Sequence, residues 1–146
     1  MNGKMISLLN YKQFDLNNKI EIKNTVIDTI DFRYSIFKEP VSLDNCLISN
    51  LLIHSSFFTK GLHINNCIIK EKIQFEMGGH NSCPIVIQNS IFCDLFVFFD
   101  CIFDSQLIIK NNIFIKGSTL FNNSNTFAVE PDICENIGTM EIDSIE

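Results

Sequence analysis

Cysteine, histidine and paired carboxylates are the side chains through which this chain could do chemistry. A thiol nucleophile needs a base beside it. Cys46 and Cys67 fall on a repeat, and no histidine shares their register. Tetrahedral metal sites draw three or four ligands from the protein. His54 and His63 neighbour inward positions and so should point outward, while His80 has only Cys83 near it in residues 77–84. Asp100 and Asp104 could face solvent together, but solvated turn acids account for them. Gly78 and Gly79 stand alone, outside any phosphate-binding glycine pattern. The expectation is therefore no catalytic residue, no metal and no cofactor. A carbohydrate-cleaving β-helix is the enzymatic alternative, and it would need more coils and long loops to form a cleft.

The elements that place these residues follow from self-similarity. Asn24, Asn45, Asn66, Asn89 and Asn111 recur at nearly equal spacing. Two places before them stand Ile22, Leu43, Ile64, Ile87 and Ile109. One place after stand Thr25, Cys46, Cys67, Ser90 and Asn112, all small or modest in size. Three places after stand Ile27, Ile48, Ile69, Phe92 and Phe114. A second series lies halfway between, centred on Tyr34, Ser55, Asp100 and Asn122, with Phe37, Phe58 and Phe103 three places on. Its third member falls near Met77, where residues 77–84 are expected to leave the coil as a loop.

Alternation within each unit has the period of a strand with one buried face. Fourteen Phe, many Ile and only three Pro also favour strands. Like residues recurring at this spacing predict a parallel β-solenoid of about five coils, whose rungs stack about 4.8 Å apart. Crossovers between parallel strands favour a right-handed coil. Asn tolerates left-handed backbone and can bond its neighbour along the stack, so the asparagines are read as corner devices.

Cys46–Leu47–Ile48, Cys67–Ile68–Ile69 and Cys101–Ile102–Phe103, each preceded by Asn or Asp, resemble the small-x-large core of the pentapeptide-repeat family. The resemblance covers roughly residues 9–127. Here steps of five and six alternate, and the middle residue is aliphatic where that family has Asn or Asp. The resemblance implies a four-sided coil; a flatter or three-sided helix is the alternative. It also implies a class of small antagonists, in some of which acidic coils imitate DNA. With a neutral body, an immunity protein against a toxin or nuclease fits this chain better than a DNA mimic.

The chain carries 11 basic and 17 acidic residues, a net charge of −6. All bases lie between Lys4 and Lys116, and the last 19 positions hold six acids, so the preceding body is neutral. No basic groove for nucleic acid emerges. The first residues lack the pattern of a signal peptide, and no stretch is long and apolar enough to span a membrane. The six cysteines are read as reduced core fillers in a cytoplasmic protein. Residues 1–127 are expected to form the solenoid with its N-terminal cap. Residues 128–146 are expected as an acidic C-terminal cap or tail, because continuing the same register would carry Ala128, Glu130 and Glu135 into the core.

The strongest functional signal is an excess of aliphatic residues. Val26, Leu47, Ile68, Ile91 and Ile113 stand two places after each corner Asn, between positions assigned inward. Strict alternation puts them outside, as a flat stripe of the kind that marks a protein interface. A bent strand would instead turn them into the core. His80 joins them as a candidate contact, since irregular loops on rigid scaffolds often carry recognition. The expected function is non-enzymatic protein binding, with the acidic segment steering a basic toxin or enzyme. A self-associating scaffold or homodimer is the alternative.

Overall fold

The computed structural model describes residues 5–143. These form short parallel strands joined by turns, with a single 3-10 turn at Tyr11–Gln13 and no α-helix. Among the described residues no helix is long and apolar enough to cross a membrane. The strands stack in four columns, so each coil has four faces.

The first face holds Ile20–Lys23, Val41–Asp44, Leu62–Asn65, Ile85–Gln88, Leu107–Lys110 and Asp132–Cys134. The second opens with Met5–Asn10 and continues through Val26–Asp31, Leu47–Leu52, Ile68–Ile69, Ile91–Phe92 and Ile113–Phe114. The third carries Ile73–Glu76 and Phe96–Phe99, with Phe96 bridged to Ser118. The fourth carries the pairs Ile36–Phe37 with Phe57–Phe58 and Ile102–Phe103 with Thr126–Phe127, linked through Gly79.

The corners explain the asparagine spacing. Asn24, Asn45, Asn66, Asn89 and Asn111 all adopt left-handed backbone, with φ between 51° and 55°. Asn accepts this conformation because its short polar side chain bonds locally. Asn45 donates from Nδ2 to Asn24 Oδ1 at 2.7 Å, while Asn89 bonds Asn65 Oδ1 at 2.9 Å. The residue after each corner turns inward and ties one coil to the next. Cys67 N donates to Ser90 Oγ (3.1 Å), Ser90 N to Asn112 Oδ1 (3.0 Å) and Asn112 N to Asn136 Oδ1 (2.9 Å). Small polar residues at this column thus satisfy buried backbone amides.

The core is a continuous stack of Ile, Leu and Phe. Phe37 lies flat on Phe58, centroids 5.0 Å apart, and Phe92 on Phe114 at 4.9 Å. At the N-terminal end Phe14 meets Phe32 edge-on at 6.1 Å, and Leu16 accepts a bond from Lys38 N. The cap expected before Leu9 falls partly on residues 1–4, outside the described residues; from Met5 onward that segment is a strand.

Three expectations are corrected. The solenoid has about six turns, because the chain after Phe127 continues the coil: Ile133 pairs with Ile109 and Ile137 with Ile113. The step between these coils is longer than the earlier ones, and it is Ile133 that packs against the core. The fifth corner of the second series is Ser124 (φ 57°), not Asn122, since two residues are inserted after Leu120. Phe127 then stacks on Phe103.

Residues 77–84 do not leave the coil. Gly79 pairs with both Phe57 and Ile102. A methyl at Gly79 would overlap the Ile102 carbonyl oxygen, and one at Gly78 would overlap the Phe75 ring. Two residues without Cβ let the backbone stay within the stack. The extra length is taken up at His80, itself left-handed (φ 50°), which places Asn81 fully inside.

Candidate functional site

Alternation holds on the second face. Ile27, Ile48, Ile69, Phe92 and Phe114 are buried, as are Thr25, Cys46, Cys67, Ser90 and Asn112. The residues between them point outward: Val26 and Ile68 are 42% and 41% exposed, and Leu47, Ile91 and Ile113 are half-buried. They pair in strict register, with Met5 at one end and Ile137 at the other. The result is an aliphatic ladder of seven rungs, about 29 Å long at 4.8 Å per rung.

A second outward column runs beside it: Ser7, Asp28, Ser49, Lys70, Cys93 and Ile115. Between the columns lies a shallow groove of about 250 Å³, lined by Met5, Val26, Asp28, Leu47, Ser49 and Lys70. Asp28 and Lys70 are exposed, and neither forms an ion pair among the described residues. The middle of this face is thus apolar with one charge of each sign.

His80 is not brought together with the ladder. It sits on the fourth face, its ring 4.4 Å from that of Phe57 and its Nδ1 3.7 Å from Asp104 Oδ2. Ile36 and Ile102 are exposed on the same face, interrupted by Gly79. The ladder therefore stands as a surface by itself.

The remaining chemistry-bearing residues are accounted for structurally. Cys46 Sγ donates to the Ile22 and Asp44 carbonyls, and Cys67 Sγ to those of Leu43 and Asn65. Contact with Cys46, reinforced by burial, raises the Cys67 thiol well above its ordinary range. Burial pushes Cys101 up to about 12, and its Sγ lies 2.9 Å from the Phe75 carbonyl oxygen. Cys67 and Cys101 are therefore protonated thiols, poor nucleophiles and poor ligands, whereas the hydrogen bond with Cys67 lowers the Cys46 thiol to about 7. His54 pairs with Glu76 at 3.2 Å, and His63 is exposed on the first face. Among the described residues no group of three His, Cys, Asp or Glu could hold a metal.

The last coil concentrates acid. Glu130, Asp132, Glu135, Glu141 and Asp143 lie on it, and Lys110, 3.1 Å from Asp132, is the one cation paired with them among the described residues. Asp132 holds the Lys110 ammonium above its usual range by its hydrogen bond and its charge.

Reading the sequence alone misses Met5 and Ile137 as ends of the ladder. Met5 precedes Val26 by the same step that separates Val26 from Leu47, a signal the sequence does carry. Ile137 follows Ile113 by a longer step than any between the earlier rungs of the ladder, and so falls outside the repeat. The chain matches no protein-family model, and comparison with curated proteins and with solved structures finds no match.

Proposed function

We propose that this chain is a non-enzymatic protein-binding solenoid whose second face is its docking surface. The observation that supports this reading is the continuous outward ladder from Met5 to Ile137, an apolar strip on a rigid stacked sheet. A stacked solenoid keeps such a strip flat and pre-organised, so binding orders little of the protein. The raised, buried thiols of Cys67 and Cys101, and the pairing of His54 and His80 with single carboxylates, favour binding over catalysis.

The finer family reading is a degenerate pentapeptide-repeat solenoid, supported by four strand columns per coil and by the small-x-large triplets Cys46–Ile48, Cys67–Ile69 and Cys101–Phe103. Within that class the reading is a small cytoplasmic antagonist, of the immunity or inhibitor kind. Its acidic last coil steers a basic toxin or nucleic-acid enzyme towards it.

The test is parallel capture from the native cell on the wild type and on Ile68→Asp, with circular dichroism to show that both are folded. A protein held by the wild type and lost from the variant supports the reading. Equal capture by both, or none by either, defeats it.

A further inference from the structure

We propose that the ladder face also pairs with the same face of a second copy, in an antiparallel, two-fold arrangement centred on Leu47 and Ser49. This rests on the reading of that face as a docking surface and names one occupant of it. The charges on this face are arranged symmetrically about its middle. Asp28, Ser49 and Lys70 occupy three successive rungs of one outward column, with Asp28 exposed one rung before the middle and Lys70 exposed one rung after it. Neither has an ion partner among the described residues.

A two-fold axis lying across the face reverses the direction of the coils and leaves each column opposite itself. With the axis at Ser49, Asp28 of each copy meets Lys70 of the other, twice. The same operation sets Val26 against Ile68, Leu47 against Leu47 and Met5 against Ile91, aliphatic on aliphatic throughout. An axis running along the solenoid gives a parallel pair instead. With that axis midway between the columns, the charged column of one copy lies on the aliphatic ladder of the other, which a buried contact disfavours. With it over the ladder, the charged columns fall on opposite flanks and Asp28 and Lys70 stay unpaired. An isologous contact needs this kind of self-complementarity.

Five overlapping rungs span about 19 Å, and the strand column is about 13 Å wide. Such a patch sits at the small end of specific interfaces, below roughly 1,200 Å² in total. The dimer is therefore a weak, reversible one, with the charges setting its register more than its strength. Because the two solenoids run in opposite directions, the acidic last coils lie at opposite ends and remain free for other contacts.

Sedimentation equilibrium over a concentration series to about 1 mM tests this directly. The wild type is expected to rise towards twice the monomer mass, less steeply in 0.5 M salt than in 0.05 M, since screening weakens the pairs. Lys70→Glu and Asp28→Lys each set like charges opposite one another and weaken association about tenfold. The double variant Asp28→Lys with Lys70→Glu restores it. Both positions lie on the surface, so unchanged melting curves separate these effects from misfolding. A wild type that stays monomeric at every concentration overturns the proposal. So does association that the single reversals leave unaltered, or that the double variant fails to restore. A monomeric wild type whose capture of another protein is still lost with Ile68→Asp overturns only the self-pairing and leaves the docking face standing.

Discussion

Asn45 donates its side-chain amide to Asn24 Oδ1 across 2.7 Å, one full coil away along the chain, and both residues hold left-handed backbone. The side chain thus does two jobs: it makes the corner tolerable and ties adjacent coils. The jobs separate by substitution. Asn45→Ala keeps neither, and the Cβ of Ala in left-handed backbone costs about 1–2 kcal/mol. Asn45→Gly restores the backbone freedom and loses only an exposed bond, so its cost is about 0.5 kcal/mol. Urea unfolding should rank them wild type, Gly, Ala. If Ala matched Gly, the left-handed corner would not be what the asparagine is there for.

Phe58 is fully buried, lying flat on Phe37 at 5.0 Å and edge-on to Phe75 at 6.1 Å. Phe58→Ala opens a cavity between two coils and should cost about 3–5 kcal/mol. Phe58→Leu keeps most of the volume and should cost about 1–1.5 kcal/mol. Each coil contacts only its neighbours, so the loss falls at the centre of a one-dimensional stack. The Ala variant should therefore unfold in a broader transition, with the two ends no longer melting together.

Much of this architecture was legible before any coordinates, and the reason is stacking. Where like columns meet once in every coil, the chemical type of each column is repeated five times, as with Ile22 to Ile109 or Thr25 to Asn112. The inward and outward assignment of Val26 and its ladder follows from the same alternation. The errors share a cause: the period changes. Two residues inserted after Leu120 move the next corners to Ser124 and Glu135, residue types that signal no corner by themselves. Gly78 and Gly79 read as an interruption, because the sequence does not reveal that the Ile102 carbonyl and the Phe75 ring lie against them. The pairing of His80 with Phe57 and Asp104, away from the ladder, depends on that same local shift.

Asn136 anchors the sixth coil. Its Oδ1 accepts from Asn112 N (2.9 Å) and Asn112 Nδ2 (3.0 Å), and its Nδ2 donates to Ile109 O (2.9 Å). Asn136→Ala leaves these partly buried groups unmatched, at about 2–3 kcal/mol. The coil lies at one end of the stack, so the loss appears as local opening before global unfolding. Hydrogen exchange at the Asn112 amide should accelerate about 30-fold or more. Exchange in the strand Val41–Asp44, three coils away, should change little.

Cys101 provides the pH dependence. Burial holds its thiol up to about 12 in the folded chain, against an ordinary value near 9. The folded state therefore keeps a proton that the unfolded state releases. Below pH 9 both states are protonated and the contribution to stability is complete. As pH rises from about 9 to 12 the unfolded state binds fewer protons, and stability falls by about 1.4 kcal/mol per pH unit for this one group. Cys101→Ala loses the contact to the Phe75 carbonyl oxygen and is weaker at neutral pH, yet its decline above pH 9 should be shallower by that same slope. Urea titrations of both proteins at pH 8, 9 and 10 measure the difference. Equal slopes would mean that Cys101 ionises as readily in the coil as in the unfolded chain, contrary to its burial against the Phe75 carbonyl.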